Sequence, residues 1–283
     1  MMIKKLSQCT LDEILTAWND GFEGYFVQIK MNAEVFLNRL VGEGLSPNHS
    51  IVAFDDNKPV GIVLNGFRNV EGKKIAWNGG TGVAPDYRGK GVSRSLMEET
   101  LAIYKQENVD TSTLEVIKEN ERAIKLYEKY GYEISDHLLF ITGEYESKIS
   151  ESLGVKDELL RPEQLPSFSF YKEDVPWQCN WLSAKQGEAK IFYNGKNEPI
   201  GYAIYRKVWN EDKKLDRIIL HQMELLEKGN IEDIPKFIGT ITKEKVNITT
   251  INFSASNPVS NYLIEQGLKV TTEQYQMKKK MNL

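Results

Sequence analysis

Apolar positions divide the chain into two stretches that carry the same order of predicted elements. In the first, residues 3–6 read as a short strand. The spacing of Ile14, Leu15 and Trp18 predicts a helix from Leu11, and a second helix covers residues 33–41. Residues 50–54 and 60–67 flank the turn-rich segment Asp55-Asp56-Asn57-Lys58-Pro59 and form a predicted hairpin, followed by a long strand over residues 73–83. Pro85 removes the next ladder donor, so that strand ends. Over residues 92–106, Val92, Leu96, Ala102 and Ile103 recur at helical spacing, with the strong helix formers Met97 and Leu101 beside them. Thr113-Leu114-Glu115-Val116 reads as a short buried strand, and the helix opened by Asn120 stops at Gly131. A meander feeding a strand–helix–strand crossover is an α+β fold, a mixed central sheet flanked by helices.

The pattern recurs after residues 148–174, which mix charge with Pro162 and Pro166 and read as a linker and the start of a second unit. Residues 189–193 and 200–208 repeat the hairpin, with Pro199-Ile200-Gly201 echoing Pro59-Val60-Gly61, and residues 215–225 repeat the long strand. Residues 248–253 and the segment from Asn257 to Leu268 repeat strand, asparagine, helix and glycine, giving an internal period of about 135 residues. The chain of 283 residues therefore reads as two domains, 1–147 and 148–283.

The chemistry concentrates where the strand over residues 73–83 meets the helix from Val92. Between them lies Arg88-Gly89-Lys90-Gly91-Val92-Ser93. Backbone amides at a helix start are unpaired and carry the positive end of the helix dipole, and glycines let a phosphate approach without meeting a Cβ. The loop is a candidate pyrophosphate site, although a Gly-x-Gly pair alone is more often a plain turn. A Walker loop and a three-glycine dinucleotide fingerprint are both absent.

Joined to Asn120-x-x-Ala123-x-x-x-Tyr127-x-x-x-Gly131-Tyr132, the motif Arg88-x-x-Gly91-x-Ser93 after a Val-x-Pro strand end resembles the GCN5-related N-acetyltransferase (GNAT) family. The likeness covers residues 50–140, with Ser93 in place of the usual final Gly or Ala. It implies two GNAT-like domains in tandem, with acetyl-CoA entering a splayed sheet and an amine as acceptor, whether small molecule or peptide. It also implies that Val83, Arg88, Gly89, Lys90, Gly91, Val92, Ser93 and Asn120 bind the cofactor, Asn120 through the pantetheine arm and an amide near Val83 through the thioester oxygen. Tyr127 takes the place of the general acid and Glu115 that of a general base in N-terminal acetyltransferases of ribosomal proteins.

Each residue also has a plainer reading. Tyr127 fits a core aromatic, Asn120 a helix cap, and Glu115 an outward strand residue between Leu114 and Val116. The segment Trp18–Phe26 suits either an acceptor wall or a solvated loop anchored by aromatics. A non-catalytic acyl-CoA sensor and a tandem interaction protein are the alternatives to an enzyme. In the second stretch, Lys228-Gly229-Asn230-Ile231-Glu232-Asp233-Ile234-Pro235 stands where the glycine loop should be, and its acidic residues oppose a phosphate. That half therefore reads as a degenerate copy that packs or shapes the acceptor site.

Composition narrows the picture. Apolar residues at 41% and charged residues at 27% fit a globular protein, and no run approaches the roughly 18 apolar residues of a membrane span. The first residues lack a signal-peptide pattern, so cytoplasmic residence is expected. A net charge of -4 gives no general attraction to nucleic acid, and Lys278-Lys279-Lys280 reads as a solvated tail. Cys9, Cys179 and three histidines show no metal-ligand spacing, so neither a metal nor a disulfide is expected.

Overall fold

The computed structural model describes residues 1–147 and 154–281. In chain order its elements are β1 (Met2–Lys5), α1 (Leu11–Gly21), α2 (Ala33–Gly42), β2 (Ile51–Asp55), β3 (Lys58–Val70), β4 (Lys73–Val83), α3 (Val92–Gln106), β5 (Thr111–Ile117), α4 (Glu121–Lys129) and β6 (Glu133–Tyr145). There follow β7 (Lys156–Leu160), β8 (Glu188–Tyr193), β9 (Pro199–Trp209), β10 (Leu215–Leu225), α5 (Ile234–Ile241), β11 (Val246–Thr250), β12 (Phe253–Ser254), α6 (Pro258–Glu265) and β13 (Lys269–Lys280).

Two compact units result, one of Met1–Ser135 with Gln276–Leu283 and one of Asp136–Tyr275. The expected boundary at 147/148 abuts residues 148–153, which lie outside the described residues. The units divide instead inside β6 and inside β13, because the end of the chain returns to the first unit. There Met281 donates its amide to the Asp110 carbonyl at 2.9 Å, placing β13 beside β5. Lys278, Lys279 and Lys280 are thus strand residues rather than a solvated tail, the first two half-buried.

In the first unit β1 to β4 form an antiparallel meander and β5 joins β4 in parallel through the crossover helix α3. Helix α3 buries Leu96, Met97, Ile103 and Tyr104 against the sheet, and a fully buried side chain of this size contributes about 1.5–3 kcal/mol. Helix α1 starts in a capping box, with Glu13 N donating to Thr10 Oγ1 at 3.2 Å and Thr10 N donating to Glu13 Oε2 at 2.7 Å. Its buried face, Ile14, Ala17 and Trp18, lies along the sheet where β4 is rich in glycine. A Cβ added to Gly80 would stand 2.9 Å from the Trp18 ring, and one added to Gly82 would stand 2.9 Å from Phe22. These glycines allow the close approach.

The second unit repeats this order, with β7 to β10 antiparallel, α5 as crossover and β11 parallel to β10. Its core includes Phe192 stacked on Phe237, centroids 4.1 Å apart and planes 7° from parallel. Two local expectations change. Strand β7 lies within the stretch read as a linker, and the strand expected over residues 248–253 breaks into β11 and β12 at Asn252, whose φ is 49°.

Candidate active site

Strand β4 pairs with β5 over four residues only, Ile75–Asn78 against Thr111–Leu114. Beyond them β4 continues to Val83 along β3 while β5 runs to Ile117, and the sheet forks. The fork begins at a β-bulge. Leu64 faces Gly80 and Asn65 faces Asn78, so Gly79 is the extra residue that bends β4. The polar groups exposed by the bulge have partners, since Arg39 Nη2 donates to Gly79 O at 2.6 Å and Gly80 N donates to Asn78 Oδ1 at 3.1 Å. Asn78 Nδ2 in turn donates to Thr81 Oγ1 at 2.8 Å. At the other end, Ala84 donates its amide to Val60 on β3 at 2.9 Å. Successive amides of a strand point to opposite sides, so the amide of Val83 faces the fork.

After β4 a single 3-10 turn, Pro85–Tyr87, leads into the glycine loop. Gly89 and Gly91 have φ of 80° and 92°, values an L side chain rarely adopts, and Gly91 caps α3. The first intrahelical bond recorded there runs from Ser95 N to Gly91 O at 3.1 Å, so the amides of Val92, Ser93 and Arg94 precede the helical ladder. Arg88 does not offer its guanidinium to this loop. Its Nε donates to Val83 O at 2.9 Å, and its Nη2 to Gly21 O at 3.3 Å and Glu23 O at 2.6 Å.

Helix α4 closes the site. Asn120 Oδ1 accepts the Ala123 amide at 3.2 Å, which establishes the capping role. Gly131, with φ of 82°, stops the helix. Tyr127 is buried at 7% exposure, and desolvation raises its pKa to about 12, partly offset by a hydrogen bond with Thr81, while Tyr25 adds to the rise. Burial raises the Tyr25 pKa, and the ring stands edge-on to both Phe22 and Phe26, at centroid distances of 5.2 and 5.4 Å.

A cavity of about 760 Å3 unites these parts. Among the expected site residues it is lined by Val83, Arg88, Gly89, Gly91, Ser93, Asn120 and Tyr127. Lys90, Val92 and Glu115 do not line it. The Val92 side chain is buried in the core, so only its backbone can serve a ligand. Lys90 extends its ammonium over Tyr87, 5.6 Å from the ring centroid, and gives its amide to the Tyr87 carbonyl at 3.4 Å. Glu115 Oε2 accepts the Trp77 indole N–H at 2.6 Å. Thr81, Arg94 and Arg122 line the cavity without having been singled out from the sequence. Nothing local marks Thr81, which the bulge aims.

The second unit forks in the same way, with His221 as the bulge residue on β10 and parallel pairing with β11 ending at Leu220 and Thr250. There the fork is filled by the chain itself. Cys179 Sγ donates to Ile251 O at 2.9 Å while Gln222 Nε2 donates to Cys179 O at 3.0 Å, so one residue bridges the diverging strands. Burial lowers the His221 pKa, and the neutral ring donates from Nδ1 to Gln178 O at 3.0 Å. Before α5, Asp233 pairs with Lys236 at 2.7 Å.

The forked mixed sheet with its loop and helices is an acetyltransferase fold. Residues 11–132, within the first unit, match the family model described as Acetyltransferase (GNAT) family. Mycothiol acetyltransferase of Propionibacterium freudenreichii subsp. shermanii is 28% identical over 125 residues, which are 44% of this chain and 40% of that protein. An uncharacterized N-acetyltransferase of Methanocaldococcus jannaschii is 27% identical over 137 residues, 46% of this chain and 60% of that one. The chain thus spans only part of the length of both relatives. A solved GCN5-related N-acetyltransferase from Sphaerobacter thermophilus superposes with a TM-score of 0.65 at 12% identity, covering 96% of this chain and 94% of that one. That fold therefore extends through both units. No described helix is long and apolar enough to cross a membrane.

Proposed function

We propose that the first unit is an acetyl-CoA-dependent N-acetyltransferase that passes its acetyl group to a primary amine by direct attack, and that the second is a degenerate copy without a cofactor. The observation that carries this reading is the shared cavity, in which the glycine loop, the Val83 end of the fork, Asn120 and Tyr127 all line one space. The residues fit acetyl-CoA. The amides opening α3 and the cations Arg94 and Arg122 suit phosphates, and Asn120 suits a pantetheine amide. Bound acetyl-CoA would supply the activated thioester.

The chain's own residues do the rest. The Val83 amide is a hydrogen-bond donor for the thioester oxygen. Tyr127, kept protonated by burial, gives its phenolic proton to the departing sulfur. An ordinary alkylammonium must lose a proton before attack, at a cost of about 4–5 kcal/mol at pH 7. Glu115 has one oxygen committed to Trp77 and stands off the cavity wall, so we assign it to proton removal through water.

Titration of acetyl-CoA into the full chain, followed by a panel of amines assayed for thiol release, tests the proposal. Saturable binding and amine-dependent release are expected. Undetectable binding refutes the cofactor assignment, and binding without release with any amine would favour an acyl-CoA sensor.

A further inference from the structure

The loop between α1 and α2 contains a tyrosine that the chemistry above leaves unused. Tyr25 lines the cavity with Asn120 and Tyr127, and the backbone before it is pinned by Arg88 at Gly21 and Glu23. The backbone after it is pinned as well. Trp18 Nε1 donates to Ile29 O at 2.8 Å, and Asn19 exchanges hydrogen bonds with Met31 at 2.9 and 3.0 Å. Edge-on contacts with Phe22 and Phe26 fix the ring between these anchors.

Asn120 caps α4 with Oδ1 and lines the same cavity as Tyr25. A phenol has a proton to donate, and Tyr25 lines the space that a ligand would fill. An Asn amide carries two hydrogens, so Asn120 has donors for a ligand while its oxygen caps the helix.

Resting on the acetyl-CoA reading, we infer that Tyr25 is a binding residue for the pantetheine arm, its hydroxyl donating to an arm carbonyl. The acceptor-side loop is then part of the thioester site, and Tyr25 and Asn120 grip the arm as a pair. The nucleotide end of the ligand, held by the loop and by α3, does not depend on Tyr25.

Calorimetric titration of the full chain and of Tyr25→Phe with two probes tests this. The probes are acetyl-CoA and adenosine 3′,5′-bisphosphate, which lacks the arm. Phenylalanine keeps the ring contacts, so acetyl-CoA should bind about three- to tenfold more weakly while the bisphosphate affinity stays unchanged. An unchanged acetyl-CoA affinity, or equal weakening of both probes, would overturn the inference. Failure of acetyl-CoA to bind the wild-type chain would instead overturn the reading on which it rests, and this inference with it.

Discussion

Arg88 Nη2 donates to the carbonyl oxygen of Glu23 at 2.6 Å, tying the start of the glycine loop to the end of α1 across 65 residues of chain. The same guanidinium also holds Val83 and Gly21, so the residue that looks from its motif like a phosphate ligand is a clamp between the glycine loop and the loop that follows α1.

Loss of the clamp should therefore be felt on both sides. Arg88→Ala is expected to lower stability by about 1–3 kcal/mol and to raise KM for both acetyl-CoA and amine. Lysine has a single ammonium and cannot match the fork that reaches three carbonyls. Urea unfolding and steady-state kinetics check this, and full rescue by Arg88→Lys would show the geometry to be unimportant.

Tyr127→Phe should reduce kcat by about 10²–10⁴-fold with little change in acetyl-CoA affinity, since the ring stays in place. A phenol at the ordinary value near 10 would lose its proton, and hence its acid function, from about that pH upward. With the pKa raised to about 12, the protonated form persists across the usual assay range. A decline in kcat with a midpoint near 10 that vanished in Tyr127→Phe would contradict the burial of this group.

Asn120 has separable duties. Asn120→Asp keeps an oxygen for the Ala123 amide and should preserve stability, but it loses the amide donors and should weaken acetyl-CoA. Asn120→Ala should lose both, with about 0.5–2 kcal/mol off the unfolding free energy. Thermal melts and titrations of the two variants side by side separate cap from ligand contact.

Gly91 isolates backbone strain. No atom stands within 4 Å of where its Cβ would be, yet its φ is 92°. Gly91→Ala should cost about 1–2 kcal/mol from conformation alone, read as a shift in the urea midpoint at constant slope. A neutral result would mean the loop relaxes to another conformation.

Calorimetry should also give one acetyl-CoA per chain, because Gln178 and Cys179 fill the fork of the second unit. A stoichiometry of two would mean that this segment leaves the fork readily.

The strand ends, the helices and the glycine loop were legible because each depends on neighbours in sequence. Residues 73–83 and 92–106 coincide with β4 and α3, and Asn120, Ala123 and Tyr127 share one face by helical spacing alone. Glu115 illustrates the limit. Alternation placed it on the face opposite Leu114 and Val116, but only the register of β5 on β4 brings Trp77 within reach of its carboxylate.

By itself the sequence determined the α+β class, the repeated element order and the place of the glycine turn, and it offered Asn120 as a cap. These follow from apolar period, turn chemistry and backbone freedom, which act within a few residues. Tertiary structure alone decided where β4 leaves β5, what Arg88 holds, that Cys179 fills the second fork, and that β13 returns to lie beside β5. A period of two tells a strand which side chains share a face and says nothing about which strand will be its neighbour.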